Sequence, residues 1–253
     1  MSSKKQNPEH PPKHLSRHLP GHMAEHPSAS QVDSPSYNPF GDAWKETIKR
    51  GGECFGQDLG PNHLDAMALQ GMQLLKWNKK INITSITDPR GMATKHFIDS
   101  LAIASHIPEN ARVLDMGSGG GFPGFPLKVV RPDLEVVLMD ASRKRVSFLN
   151  RIINLAGLKS ISAIHARAED LARDTAFAGR FHVVTSRAFT SLDRFVVLAA
   201  PFVAPNGFIL AMKGRADTGE IQGISTSEFF ISTTSYLLPL EEHERTIVLV
   251  KPV

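Results

Sequence analysis

Hydrophobic positions along this chain follow two periods in turn. From Trp44 to about residue 108 the spacing is helical. Leu64, Met67, Ala68, Met72 and Leu75 share one face of a predicted helix. A second helix, roughly Met92 to Ser105, buries Phe97, Leu101 and Ile103 or Ile107. Between them Lys76-Trp77-Asn78-Lys79-Lys80-Ile81-Asn82-Ile83-Thr84 reads as a basic, partly extended connection. From Ala111 the pattern changes. Short apolar runs predict strands at 111–117, 135–140, 161–166, 181–187 and 207–213, with helices near 124–131, 142–157, 169–174 and 191–204. Such alternation implies an α/β fold, a parallel sheet with helices on both faces. Gly157 and Gly207 sit where helix ends and turns are expected. The last two strands, about 231–238 and 244–251, are joined by too few residues for a crossover, so they pair antiparallel. The expected organisation is a helical segment at 41–108 and an α/β domain at 109–253.

Residues 1–40 fit neither period. They hold seven of the 17 prolines and five of the 11 histidines. His10, His14, His18, His22 and His26 are spaced by four, which on a helix would make a metal-binding stripe, but Pro11, Pro12 and Pro20 break that helix. The composition predicts a disordered tail with incidental metal affinity, and no metal site is expected. Over the whole chain, 41% hydrophobic and 21% charged residues describe an ordinary globular protein. No apolar run reaches the 18 or so residues of a membrane span. The N-terminus lacks the apolar core of a secretory signal. The lone cysteine, Cys54, cannot form an internal disulfide. A cytoplasmic monomer is expected.

The chemistry concentrates in Val113-Leu114-Asp115-Met116-Gly117-Ser118-Gly119-Gly120-Gly121-Phe122-Pro123-Gly124, where an apolar strand runs into a carboxylate and then a glycine-rich turn. Gly117, Gly119 and Gly121 suit a backbone that takes positive φ and approaches a ligand. A pyrophosphate site has no fixed need for Asp115, whereas a cofactor with a cationic amino-acid end does. That favours S-adenosylmethionine over a nicotinamide cofactor; a turn-capping role for Asp115 is the alternative. Asp140 ends the second strand and can accept both hydroxyls of a ribose. Ala168 and Glu169 follow the third strand, on the adenine side, although Glu169 also suits a helix N-terminus. The fourth strand ends Val183-Val184-Thr185-Ser186-Arg187-Ala188-Phe189. This puts Arg187 and Phe189 at the carboxyl ends of the strands, where ligands of such sheets bind. Arg187 can hold a carboxylate or phosphate, or form a surface ion pair. Lys213-Gly214-Arg215 ends the fifth strand on the same rim. His96 and Asp99 share a helix face, as a catalytic pair or in a surface or interdomain hydrogen bond. Arg143, Lys144 and Arg145 open a helix whose dipole disfavours them, so either an anion rewards them or they are a solvated face.

Several pieces, in order, resemble the bacterial small-subunit ribosomal RNA guanine-N7 methyltransferases, the glucose-inhibited division protein B family. They are Lys76-Trp77-Asn78-Lys79 with Asn82-Ile83-Thr84-Ser85, His96-Phe97-Ile98-Asp99-Ser100-Leu101, the run Asp115–Gly124, and Lys144-Arg145-Val146-Ser147-Phe148-Leu149. Then come Arg167-Ala168-Glu169, Ser186-Arg187-Ala188-Phe189 and Met212-Lys213-Gly214. The resemblance covers roughly residues 44–253; Gly120 and Phe125 depart mildly from the family's usual residues. It implies a class I, Rossmann-like, S-adenosylmethionine-dependent methyltransferase with a seven-stranded, mainly parallel sheet and an antiparallel C-terminal hairpin. It implies transfer to N7 of guanine 527 in the decoding-region loop of 16S ribosomal RNA. By position it carries cofactor contacts to Gly117, Phe122, Ala168, Glu169 and Arg187.

Guanine N7 has a free lone pair at neutral pH, so no general base is expected, and Arg187 is expected to act by positioning. The net charge of +4 is too small to announce an RNA partner. Contact must come from clusters: Lys76, Lys79, Lys80, Arg90 and Lys95, which meet only Asp88 in that span, with Arg143, Lys144, Arg145, Lys213 and Arg215. Other readings stay open: a class I methyltransferase of another RNA, protein or small-molecule substrate, a dehydrogenase or nucleotide sensor, and a non-catalytic RNA-binding assembly factor.

Overall fold

Val136-Val137-Leu138-Met139 and Val183-Val184 are continuous apolar runs rather than alternating ones, as strands covered on both faces require. In the computed structural model they belong to interior strands of a seven-stranded sheet. The structure describes residues 38–187, 190–214, 220–221, 223–224, 227–241 and 243–253. The histidine-rich tail, Phe189 and Arg215 lie outside the described residues. The strands are β1 (Arg112–Met116), β2 (Glu135–Asp140), β3 (Ile161–His165), β4 (Phe181–Arg187), β5 (Val203–Lys213), β6 (Phe229–Leu237) and β7 (Glu244–Pro252). Their order is β3-β2-β1-β4-β5-β7-β6. The first five are parallel, β7 runs antiparallel to β5, and β6 antiparallel to β7. The expected parallel sheet with an antiparallel C-terminal hairpin is present.

The helices are α1 (Asp42–Glu53), α2 (Pro61–Ile81), a composite α3 spanning 89–101, α4 (Gly124–Val130), α5 (Arg143–Ala156), α6 (Ala168–Leu171) and α7 (Leu192–Ala199). One sheet face packs against α1 to α5, where Trp44, Met67, Leu74 and Phe97 share a core with Val113, Leu138 and Val183. The other face packs α7 and its surroundings against Leu114, Val184 and Ile209. Residues 39–253 are one compact unit.

Tertiary packing overrides local pattern in four places. The stretch Lys76–Lys80 is helical, not extended: α2 continues to Ile81 because Trp77 packs on Phe148, with ring centroids 5.9 Å apart. The chain then reverses at Asn82, at φ 47°, and the Asn78 side chain holds the backbone of Ile83 and Thr84. Met72 is 41% exposed, because the buried stripe of α2 runs through Gly71 and Leu74 instead. The second predicted helix is broken by a π-helical turn at Ala93–Ile98, a feature frequent at functional sites. Finally, β5 begins at Val203 rather than 207, and the preceding helix ends correspondingly earlier. Gly207 lies within β5, where a Cβ would come within 2.9 Å of the Phe181 and His182 carbonyl oxygens.

Phe40, which composition groups with the tail, is a core residue. It is 1% exposed and meets Trp44 edge-on at 5.0 Å. Gly71 makes its seat, since a Cβ there would stand 2.6 Å from the Phe40 ring. Trp44 continues to Phe97 at 5.1 Å, and Phe97 to Phe122 at 5.1 Å. A run of edge-to-face rings therefore joins the start of the described chain to the glycine turn. Phe40→Ala should lower unfolding stability by about 3–5 kcal/mol, the cost of emptying a buried aromatic site. Urea unfolding measures it, and a loss below about 1 kcal/mol would show that the site collapses or that Phe40 is dispensable.

Candidate active site

The turn after β1 takes its shape from three glycines. Gly117, Gly119 and Gly121 have φ of 72°, 55° and 90°, a region that side-chain-bearing residues rarely occupy. The turn is tied to β2: the Gly117 and Ser118 N–H groups donate to Met139 O at 2.8 and 3.0 Å. Gly121 and Phe122 N–H then donate to Ser118 O at 2.7 and 3.0 Å, leading into α4. Space above Gly119 is open: a Cβ on this residue would have Gly117 O, at 3.8 Å, as its nearest neighbour. Asp140, at the end of β2, accepts from Gly119 N–H at 3.0 Å and, through its other oxygen, from Ser142 N–H at 2.8 Å. Arg145 lies 3.6 Å from the same carboxylate, so one of the three cations opening α5 has a protein anion. Arg143 and Lys144 are exposed.

Asp115 differs from the expectation that it faces a ligand directly. Its carboxylate is fully buried, and Oδ2 accepts from Gly124 N–H at 2.9 Å, which braces the turn against the start of α4. Oδ1 is buried with no hydrogen-bond partner among the described residues. Burial pushes its pKa up to about 7, against the Gly124 hydrogen bond. Two carboxylates, Asp115 and Asp140, thus border the turn. A pyrophosphate placed here would meet both, whereas a nucleoside with a cationic end would not be repelled. The residues fit an adenosyl cofactor without phosphates better than a dinucleotide.

Across the crevice, the guanidinium of Arg187 lies over the Phe122 ring, 5.1 Å from its centroid. Nη1 donates to Lys95 O at 2.6 Å, and Nη2 meets His96 Nδ1 at 2.9 Å. Arg187 is a donor only, so Nδ1 accepts, and the His96 proton sits on Nε2, 2.8 Å from Thr84 Oγ1. Burial, then the neighbouring Arg187 charge, pushes His96 down to about 3, so it is neutral. His96 also stacks on Phe122 at 4.6 Å. Arg187 Nη1 lies 3.6 Å from Asp99 Oδ2. His96 and Asp99 are therefore not a surface pair, and their side chains turn to Arg187 rather than to each other. Both are buried and converge on Arg187.

On the far side of the turn Ala168 is buried and Glu169 is exposed in the first turn of α6. Ala141, His165, Ala166, Arg167 and Asp170 line a cleft beside them. The RNA-binding candidates separate. Asn62, Ala66 and Leu69 of α2 line one groove with Leu155, Ala156 and Leu158, while Trp77 meets Phe148. So α2 runs antiparallel to α5 and brings exposed Lys76, Lys79 and Lys80 to the end where Arg143 and Lys144 begin α5. Lys95 is half-buried in the π turn. Lys213 is paired with Glu220 at 2.8 Å rather than free.

Sequence reasoning passes over Gln70. It is buried on α2, and its Nε2 donates to Gly120 O at 2.8 Å, joining the helical segment to the glycine turn. A polar residue inside an apolar helical stripe is the signal that could have found it. Tyr236 and Arg245, which reach Asp99 from the hairpin, carry no signal in the sequence.

The chain matches the family described as GidB, rRNA small subunit methyltransferase G, over residues 66–248. It is 43% identical over 179 residues to a ribosomal RNA small subunit methyltransferase G of Geobacter sp. strain M21, covering 71% of this chain and 82% of that one. It is 36% identical over 217 residues to the protein of the same name from Lachnoclostridium phytofermentans, covering 82% and 88%. Among solved structures, a predicted O-methyltransferase from Agrobacterium tumefaciens superposes with a TM-score of 0.52 at 21% identity, over 61% of this chain and 80% of that one. That likeness concerns the fold.

Asp115 gives a pH signature. Its native pKa of about 7 is above the unfolded value of 3.8, so its contribution is full below pH 4 and is lost as pH rises through 7. Without ligand, thermal stability should fall between about pH 4 and 7, and Asp115→Asn should flatten that fall. Calorimetric melting across the series checks it; parallel curves for parent and variant would show that Asp115 is ionised at little cost.

Proposed function

Because the chain belongs to the rRNA small subunit methyltransferase G family, it is an S-adenosylmethionine-dependent methyltransferase of ribosomal RNA, and we propose that it modifies N7 of guanine 527 in 16S RNA. The observation that carries the reading is the family match itself, which spans the glycine turn, Asp140 and Arg187 together. S-adenosylmethionine supplies an electrophilic methyl group on a sulfonium. In this reading Gly117, Gly119, Gly121 and Phe122 form the floor of its site, with Ala168 and Glu169 toward the adenine. Asp140 accepts the ribose hydroxyls, for which each oxygen retains acceptor capacity beside its backbone N–H. Asp115 acts from beneath, through the field of its carboxylate and the turn it braces.

Guanine N7 needs no deprotonation, so the protein's task is alignment, which can supply on the order of 7–11 kcal/mol at best. Arg187 is placed for that task between the glycine turn and the open rim, where it can hold a carboxylate or phosphate. A neutral His96 supports it as an acceptor. The exposed cations Lys76, Lys79, Lys80, Arg143 and Lys144, with Lys95 beside Arg187, form the proposed RNA track. Lys213 and Arg145 are weaker members, because each already faces a carboxylate. The small ribosomal subunit is the proposed partner, bound by a monomer.

The deciding experiment is to map N7-methylguanosine in 16S RNA from cells with and without the gene. Loss of the mark at one guanine is expected; an unchanged map would redirect the search to another substrate. Asp140→Ala should weaken S-adenosylmethionine binding by roughly 1–3 kcal/mol, since two hydroxyls lose a charged acceptor. Calorimetry decides this, and an unchanged dissociation constant in a folded variant would remove Asp140 from the ribose. Lys79→Ala and Lys80→Ala should each weaken RNA binding and lower its salt slope by about one unit, leaving cofactor affinity alone. A parental slope would move the RNA track elsewhere.

A further inference from the structure

The C-terminal hairpin reaches the surroundings of Arg187 through Asp99. Asp99 of α3 is 4% exposed, and its carboxylate is held from three directions. Oδ1 accepts the Tyr236 hydroxyl at 2.8 Å and lies 3.5 Å from Arg245 Nε. Oδ2 lies 3.6 Å from Arg187 Nη1. Tyr236 and Arg245 face each other across the β6–β7 pair, and the Tyr236 ring packs edge-on against Phe55 at 5.4 Å. Burial, and the Asp99 charge beside it, push the phenol well above its ordinary range, so it remains a donor. Two arginines share this one carboxylate: Arg245 belongs to the hairpin, Arg187 to the rim.

A buried ion pair is a poor source of net stability, because desolvation consumes most of the attraction, but it does define geometry. An arginine side chain has about 2 kcal/mol of rotamer entropy to lose. The contacts to Lys95 O and His96 Nδ1 fix the two ends of the Arg187 fork. Among the described residues, Asp99 supplies the carboxylate that pairs with Arg187. We propose that Asp99, seated by Tyr236 and Arg245, is the positioning residue that aims Arg187 at the methyl-transfer rim. The proposal rests on the role assigned above to Arg187. It makes the hairpin a working part of the site: Tyr236 and Arg245 set where Asp99 stands, and Asp99 sets where the guanidinium stands.

The test is a double-mutant cycle. Single-turnover methylation of small ribosomal subunits, at saturating donor and RNA, is measured for Asp99→Asn, Tyr236→Phe and Arg187→Ala, and for the first two in the Arg187→Ala background. Asp99→Asn should slow transfer roughly tenfold and Tyr236→Phe roughly threefold, as small misplacements do. Neither should slow it further once Arg187 is gone, because residues acting as a unit are not additive. Tyr236→Phe keeps the ring against Phe55, so it carries the test if Asp99→Asn does not fold. A readout without turnover is the nitrogen-15 spectrum of the Arg187 guanidinium, assigned with Arg187→Lys in the ligand-free protein. Its signals should shift and broaden in Tyr236→Phe. Equal slowing in both backgrounds, or unchanged Arg187 signals, would overturn the proposal and leave Asp99 as a tie between α3 and the hairpin. A parental rate for Arg187→Ala would instead overturn the role of Arg187 itself, and the proposal with it.

Discussion

The sheet order reverses between β1 and β4, with β2 and β3 on one side and β5, β7 and β6 on the other. Crossovers from the two central strands must then leave in opposite directions, and a crevice opens at their carboxyl ends. The site depends on that constraint. Gly117 begins the turn on one side of the crevice and Arg187 ends the strand on the other. Ser186 Oγ donates to Met116 O at 2.8 Å and holds the two strand ends at a set separation. No local propensity could place a glycine turn and an arginine 70 residues apart in one cleft; the parallel pairing of β1 with β4 does.

The helical segment before the sheet completes this cleft. The ring sequence Phe40, Trp44, Phe97 and Phe122 carries packing from the start of the described chain to the floor of the turn. Gln70 reaches the same turn from α2. The π turn at Ala93–Ile98 turns the Lys95 carbonyl and the His96 ring toward Arg187. Removing this layer would expose the sheet face and also leave the guanidinium of Arg187 without its acceptors.

Charge is divided across the crevice. Asp115 and Asp140 border the glycine turn, where they disfavour phosphate and tolerate a cationic ligand. The exposed lysines of α2 and the cations opening α5 lie together at the outer edge, the face proposed for the RNA. Arg187 stands between the two zones. A buried carboxylate and a neutral histidine hold it, so its geometry is set before either ligand arrives. Such preorganisation suits a reaction whose barrier is lowered by alignment rather than by proton transfer.

The positions of the strands along the chain and the antiparallel pairing of the last two were legible in the sequence, because apolar runs, turn residues and a short connection report local structure, whereas the order of the strands in the sheet was not. The glycine turn, Asp140 and Arg187 were legible too, since each ends a predicted strand on the side where ligands of parallel sheets bind. Composition misplaced Phe40, because a single aromatic beside prolines shows nothing of the Gly71 seat that buries it. Lys76–Thr84 reads as a partly extended connection, but α2 runs on to Ile81, because the Trp77–Phe148 contact that prolongs it is long-range. Asp115 was recognised by type, but its inward orientation follows from the tight packing of Gly124 against it. The convergence of His96, Asp99, Tyr236 and Arg245 around Arg187 was beyond any reading of spacing. Those residues come from α3, β6, β7 and β4, and only the closure of the sheet by its antiparallel hairpin brings them within hydrogen-bonding reach.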